Sequence, residues 1–168
     1  MPRTKANAMK KLTLAHLGVL ALALSAPACS TFRMNTPAGF AELDETDDYD
    51  YRSTNAEGVV VAVRVNRNRP EANLEFWSRV VDDRLREQGY SPDGEPRAVQ
   101  NASGLPGTQF RYLREWSGRR YRYWVTVFVK PGGFLRRSRV FVVEAGGDQE
   151  IFDRATPAVE RAIASFST

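Results

Sequence analysis

The sequence predicts an α+β domain in which helices flank a twisted antiparallel sheet. A long β-hairpin is expected in residues 108–130, where Ser117-Gly118 suits a two-residue turn between two strand-like runs. A further strand, Val59–Val65, is β-branched along almost its whole length. One amphipathic helix follows that strand and another closes the chain, so that helices are available to cover the sheet.

The hairpin residues alternate between two kinds of face. Pairing outward from the turn predicts Trp116–Arg119, Arg114–Tyr121, Tyr112–Tyr123 and Phe110–Val125 on one face, and Glu115–Arg120, Leu113–Arg122 and Arg111–Trp124 on the other. The first face is aromatic and apolar away from the tip, whereas the second is mostly charged near it. One face is therefore expected to pack against the protein and the other to meet solvent. A last strand is predicted at Val140–Val143.

The two helices have recognisable ends. The first is predicted from Pro70 to Gln88, because proline suits a first helical turn and Gly89 suits the position after the last one. The second begins near Asp148, and Thr156-Pro157 predicts a break within it. The apolar stripes of the two helices are Leu74, Trp77, Val81 and Leu85 in the first, and Val159, Ala162, Ile163 and Phe166 in the second.

Residues 1–28 have the pattern of a secretory signal peptide. A basic start ending at Lys10-Lys11 precedes an apolar run that is too short to cross a bilayer, and small residues follow. The stretch Ser25-Ala-Pro-Ala-Cys29-Ser30 resembles a bacterial lipobox. That resemblance implies cleavage before Cys29, diacylglycerol on its sulfur and an acyl chain such as palmitate on its amine. An ordinary signal peptide that leaves Cys29 free is the alternative. By resemblance to lipoprotein sorting, Ser30 favours the outer membrane over the inner.

The apparent basicity of the chain belongs to its leader. The chain has 24 Lys and Arg against 20 Asp and Glu, and four of the bases but none of the acids lie in residues 1–28. The only histidine, His16, also lies there, and Cys29 is the only cysteine. Residues 30–168 therefore lack the side chains needed for Ser-His-Asp or Cys-His nucleophiles, His/Cys zinc sites and disulfides. No cofactor is expected.

The order of the segments resembles the Mog1/PsbP-like fold, which occurs in many bacterial lipoproteins. The matching pieces are Pro37–Phe40, Leu74–Trp77, Gly104–Phe110, the aromatic hairpin, Val140–Ala145 and the closing stretch from Phe152 to Phe166. The resemblance implies an α/β/α sandwich that binds other macromolecules, and it transfers no catalytic residue. We therefore expect residues 29–36 to be a lipidated tether and residues 37–168 to form a single domain.

Charge is distributed unevenly along this domain. Residues 111–139 hold nine bases and one acid, whereas residues 42–57 hold seven acids and one base. We predict that basic loops contact an anionic partner, with Arg119, Arg120, Arg136 and Arg137 as the bases and Trp116 as an aromatic anchor. The alternative is that these charges pair within the fold or lie on solvated faces. Binding of nucleic acid is not expected, because the signal peptide directs the chain out of the cytoplasm.

Two other kinds of site are weaker predictions. The acidic segment 42–50 supplies oxygen ligands suited to Ca²⁺, but it lacks the spacing of a Ca²⁺ loop; its candidates are Asp44, Asp47, Asp48 and Asp50. A hydrolase would need two facing carboxylates, for which Glu115 and Glu144 are the candidates. The sequence favours a non-catalytic interaction or assembly module, lipid-anchored in the cell envelope and facing the periplasm, with an envelope protein as its partner. A ligand- or Ca²⁺-binding lipoprotein is the alternative.

Overall fold

The computed structural model of the chain describes residues 31–134 and 137–168. Cys29 and Arg136 lie outside the described residues. The elements are β1 (Phe40–Glu42), β2 (Tyr51–Asn55), β3 (Val60–Arg67), α1 (Leu74–Glu87), β4 (Ser91–Pro92), β5 (Arg97–Gln100), β6 (Pro106–Trp116), β7 (Arg119–Lys130), β8 (Arg139–Asp148) and α2 (Gln149–Ser165). The strands form one antiparallel sheet in the order β1-β2-β3-β8-β7-β6-β4, with β5 also on β6. The predicted α+β class is confirmed.

The central hairpin has the predicted register. Trp116 is opposite Arg119, and every predicted pair down to Phe110 opposite Val125 is observed. Ser117 and Gly118 both have positive φ, as a tight turn between two right-twisted strands requires. The last strand is longer than predicted and extends through Gly146 and Gly147 to Asp148.

Helix α1 begins at Leu74, four residues after Pro70. Its start is set by Asn73, whose side-chain oxygen accepts a hydrogen bond from the Phe76 amide at 2.9 Å. The predicted stripe packs on the sheet, with Leu85 buried and Leu74, Trp77 and Val81 against the same core.

The predicted break in the second helix is wrong, because α2 continues through Pro157 from Gln149 to Ser165. The hydroxyl of Thr156, the residue before the proline, donates to the Phe152 carbonyl one turn earlier at 3.0 Å. Residues on both sides of Pro157, including Phe152 and Val159, are buried on the same sheet face. Burial of one continuous stripe therefore outweighs the local cost of proline.

The two faces of the sheet pack against different helices. Helix α2 covers one face of the sheet, which we call the α2 face. There the helix packs on Val61, Val63, Trp124, Phe128 and Phe141. On the α1 face, α1 covers only the part of the sheet around Phe110, Tyr112, Val125, Val127 and Val140. The rest of the α1 face, toward the tip of the β6–β7 hairpin, is open. No helix in residues 31–134 and 137–168 is long and apolar enough to cross a membrane.

Candidate functional site

The open part of the α1 face forms a pocket of about 420 Å³. Strands β2, β3, β6, β7 and β8 and the segment before β4 contribute to it, so it lies across the sheet rather than in one loop. We call it the distal pocket, because it lies at the hairpin-tip end of the sheet. Its lining includes Tyr49, Arg52, Val60, Ala62, Tyr90, Arg114, Trp116, Tyr121, Tyr123, Glu144 and Gly146.

Aromatic rings form the wall of the distal pocket along β6 and β7. The rings of Tyr90 and Tyr123 have centroids 5.0 Å apart, and those of Trp116 and Tyr121 are 6.5 Å apart. The side chain of Trp116 is 63% exposed, although it is one of the largest apolar groups in the chain. An exposed tryptophan beside a tyrosine-lined pocket is typical of a binding surface.

A hydrogen-bonded carboxylate lies in the pocket floor. The side chain of Glu144 is 12% exposed and accepts from the hydroxyls of Tyr123 at 2.7 Å and Tyr49 at 3.2 Å. Arg64 Nε is 3.3 Å from the other carboxylate oxygen, and its guanidinium lies 4.0 Å from the Tyr49 ring centroid. Burial, reinforced by the nearby Glu144 carboxylate, raises the pKa of Tyr123. The charge of Glu144 is thus compensated within the fold.

Gly146 determines the depth of this floor. A Cβ atom at Gly146 would lie 3.0 Å from Cδ2 of Tyr123 and 3.3 Å from the Arg122 carbonyl oxygen. The missing side chain allows the Tyr123 ring to lie across β8, from where its hydroxyl reaches Glu144. A glycine in a strand interior often marks such a close approach.

Two guanidinium groups in the distal pocket have donors to spare. Arg114 stacks on the Tyr90 ring at 4.9 Å and forms no hydrogen bond or ion pair with any described residue. Arg52 donates from Nη1 to Asp47 at 2.7 Å, while its Nε is buried without a partner in the described part of the chain. Because Arg114 lines the pocket without an acceptor among the described residues, this pocket is suited to a ligand that carries an anionic or acceptor group.

The sequence-predicted basic residues do not form one surface. Arg119 is at the hairpin tip, paired with Asp148 at 2.8 Å, and Arg120 is exposed beside it. Arg137 lies in the connection that follows the other end of β7, and β7 spans about 36 Å at the rise of a β-strand. The structure therefore divides the predicted basic surface into two, because the hairpin turn and the β7–β8 connection lie at opposite ends of the sheet. The predicted aromatic anchor, Trp116, lines the distal pocket.

The acidic candidates are also dispersed. Asp47 pairs with Arg52, and Asp50 accepts a hydrogen bond from the Val65 amide at 2.7 Å. Asp44 and Asp48 are exposed. Within residues 31–134 and 137–168, no three Asp, Glu, His or Cys side chains are grouped so that they could hold a metal ion.

The predicted carboxylate pair is wrong. Glu115 is opposite Arg120, and Glu144 is opposite Val125. Side chains alternate along a strand, so Arg120 and Val125, an even-numbered and an odd-numbered position of β7, point to opposite faces. Their partners Glu115 and Glu144 therefore lie on opposite faces of the sheet.

Sequence reasoning missed most of the distal pocket. Tyr49 and Arg52 lie at or just before the start of β2, Tyr90 lies just before β4, and the sheet brings these two segments together. The available signal was Glu144, the only acid in the otherwise apolar stretch 140–147. An acid within a buried strand needs partners, and here the tyrosines and Arg64 supply them.

The architecture has solved counterparts. LpqN of Mycobacterium tuberculosis, a protein involved in cell envelope biogenesis, superposes with a TM-score of 0.68 over 86% of this chain and 86% of its own. The chain has the fold of LpqN. The sequences are 11% identical, so the likeness to LpqN concerns the fold alone.

A second structure is less similar. PA94, a protein of unknown function from Pseudomonas aeruginosa, superposes with a TM-score of 0.52 at 11% identity, over 83% of this chain and 85% of its own.

LpqN has the Mog1/PsbP-like fold, in agreement with the resemblance found in the sequence. No protein-family model and no curated protein sequence matches this chain.

Proposed function

We propose that this chain is a bacterial envelope lipoprotein whose domain binds a partner without catalysing a reaction. Acylated Cys29 would be its membrane anchor, with the domain facing the periplasm and the outer membrane favoured over the inner one. The lipobox-like sequence supports the anchor, since diacylglycerol and a further acyl chain together give stable membrane attachment. The fold shared with LpqN, a protein of envelope biogenesis, supports the envelope as the compartment.

The distal pocket is the observation that carries the binding role. It is open, aromatic along one wall and supplied with the unpaired donors of Arg114. This combination fits a chain segment with an apolar or aromatic side chain next to a carboxylate. We therefore propose an acidic segment of an envelope protein as the ligand.

The environment of Glu144 supports a non-catalytic role. A general acid or base needs a free proton position facing the ligand. The oxygens of Glu144 face Tyr49, Tyr123 and Arg64 instead. These contacts give the carboxylate a positioning role, in which it orders the tyrosine wall.

Site-specific photo-crosslinking in intact cells tests this proposal. A photoreactive amino acid at Trp116 reports on the distal pocket, and the same group at Arg84, exposed on α1, is the matched control. We expect one envelope protein to be captured from position 116 and not from position 84. Arg114→Glu should abolish that product while Arg84→Glu leaves it intact. The same products from both positions, or a product that survives Arg114→Glu, would reject the pocket as the binding site.

Lipidation is tested separately by mass spectrometry of the purified protein. The proposal requires that the mature chain begins at Cys29 and carries the mass of diacylglycerol and an acyl chain. A mature chain with an unmodified Cys29 would contradict it.

A further inference from the structure

The end of the sheet opposite the distal pocket carries a row of bases on three neighbouring strands. Arg139 of β8 is directly opposite Arg67 of β3 and Lys130 of β7. Like charges directly opposite one another destabilise a sheet. None of the three side chains forms a hydrogen bond or ion pair with the residues that the structure describes. We call Arg67, Lys130 and Arg139 the terminal basic row.

Further positive charge surrounds this row. Arg67, Arg69 and Arg137 line one shallow pocket together with Gly132, Gly133 and a single acid, Glu71. Neither Arg69 nor Arg137 has a side-chain partner among residues 31–134 and 137–168. In the connection between β7 and β8, the side chain of Phe134 is 101% exposed. An exposed aromatic ring beside unpaired arginines is typical of a surface that contacts lipid headgroups.

The described chain begins beside the terminal basic row. The ring of Phe32 lies 5.7 Å from that of Phe166, which in turn lies 5.2 Å from Phe128 and 5.6 Å from Phe141. Phe128 is two residues before Lys130, and Phe141 is two residues after Arg139, so these rings share a face with the row.

Hydrogen bonds hold the start of the chain in this place. The amide of Arg33 donates to the Ser167 carbonyl at 2.8 Å, and the amide of Ser167 donates back at 2.9 Å. The amide of Asn35 donates to the Ser165 hydroxyl at 2.9 Å. The segment that was predicted to be a tether is thus bound to the domain from Arg33 onward. Cys29 is two residues before Thr31 in the sequence, so an acyl anchor on Cys29 would be joined to the domain at this end of the sheet.

We infer that the terminal basic row lies against the anionic lipid headgroups of the membrane in which Cys29 is anchored. This inference rests on the proposed acylation of Cys29. The lipid phosphates would supply the acceptors that Arg67, Lys130 and Arg139 lack within the described fold, and Phe134 would enter the interfacial region. The domain would then stand upright, with the distal pocket facing away from the membrane.

Fluorescence quenching in vesicles tests this orientation on the full-length, lipidated protein. Acylation occupies the sulfur of Cys29, so a single introduced cysteine takes the fluorophore. Gly133→Cys marks the proposed membrane side, since its Cβ meets no atom within 4 Å, and Ala56→Cys marks an exposed turn at the opposite end. The vesicles contain phosphatidylglycerol and a lipid with a quencher in its headgroup. We expect strong quenching at position 133 and little at position 56.

Neutral substitutions then test the role of the row. Each base near an anionic surface contributes about fivefold to binding, so Arg67→Gln, Lys130→Gln and Arg139→Gln together should lower the ratio of docked to undocked domains on the order of a hundredfold. The matched control combines Arg84→Gln, Arg97→Gln and Arg120→Gln, which remove the same charge elsewhere. Quenching should also fall in vesicles of phosphatidylcholine alone. Because the substitutions at Arg67, Lys130 and Arg139 relieve repulsion within the sheet, the melting temperature of that triple variant should not fall.

Equal quenching at positions 133 and 56 would overturn the inference, and so would quenching that is unchanged by the triple substitution or by neutral lipid. An unmodified Cys29 is recognised independently, because the protein would then take two fluorophores instead of one. That outcome would reject the proposed acylation. The orientation would then be rejected if a Cys29→Ser variant, labelled only at position 133 and mixed with phosphatidylglycerol vesicles, showed no quenching.

Discussion

The hydroxyl of Tyr123 donates a 2.7 Å hydrogen bond to the carboxylate of Glu144, which lies on the neighbouring strand two residues from the register partner of Tyr123, Gly146. The tyrosine ring crosses the glycine diagonally to reach the acid. This contact joins the wall of the distal pocket to its floor. It also explains how an acid can occupy the middle of β8.

Removal of this hydroxyl should destabilise the domain. Tyr123→Phe leaves Glu144 with one donor fewer in a largely buried position, which should lower the free energy of unfolding by about 1–2 kcal/mol. Urea denaturation measures the change. Tyr121→Phe is the control, since no described residue bonds its hydroxyl, and it should change stability by less than about 0.5 kcal/mol. Equal effects of the two substitutions would contradict the structural role of the contact.

Alkaline pH should weaken the fold through Tyr49, Tyr112 and Tyr123, whose pKa values are all raised in the folded state. Burial raises the pKa of Tyr123 and of Tyr112, whose hydroxyl also donates to Asp82 at 2.7 Å. In the unfolded chain tyrosine ionises near pH 10. Above that pH the unfolded state loses protons that the folded state retains, so stability is fully present below about pH 10 and falls as the pH rises. Urea midpoints between pH 8 and 11.5 should show this decline, with a shallower slope for Tyr123→Phe. A slope that is unchanged in the variant would exclude Tyr123 as a source of the decline.

Close packing at Gly107 should make it intolerant of a side chain. A Cβ there would lie 2.5 Å from two ring atoms of Phe128 and 2.8 Å from the Val127 carbonyl oxygen. Since Phe128 is completely buried against Phe166, the ring has little room to move. Gly107→Ala should cost about 2–3 kcal/mol in thermal or chemical unfolding. Gly133→Ala, which meets nothing within 4 Å, should be close to neutral; similar costs at both sites would contradict this account.

Replacing the proline inside α2 should stabilise the protein. Pro157 is exposed, and it cannot donate a backbone hydrogen bond to the Asp153 carbonyl one turn earlier. Pro157→Ala restores that donor at the cost of a more flexible unfolded chain, for a net gain of about 1–2 kcal/mol in urea denaturation. Arg161→Ala, at an exposed position of the same helix, is the control. A loss of stability in Pro157→Ala would mean that the helix is adapted to the proline.

The local patterns of the sequence predicted the fold class and the hairpin. Alternation around Ser117-Gly118 specified the β6–β7 register residue by residue, because a shift by one residue would have turned the apolar face to solvent. The apolar stripe of α1 was equally readable, since the spacing of Leu74, Trp77 and Leu85 determines which side of a helix is buried. The break at Pro157 was mispredicted because the burial of residues on both sides of it is a tertiary effect.

The distal pocket and the terminal basic row could not be predicted in the same way. Tyr49, Tyr90 and Glu144 are distant in sequence, and they line one pocket only because strand pairing brings their segments to the part of the sheet that α1 leaves open. Arg67, Lys130 and Arg139 form a row only through the registers of β3 with β8 and of β8 with β7. The sequence by itself therefore determined the elements and their buried sides, through alternation and helical spacing. Only the tertiary structure decided which charges and rings share an end of the sheet, because strand order is set by long-range pairing.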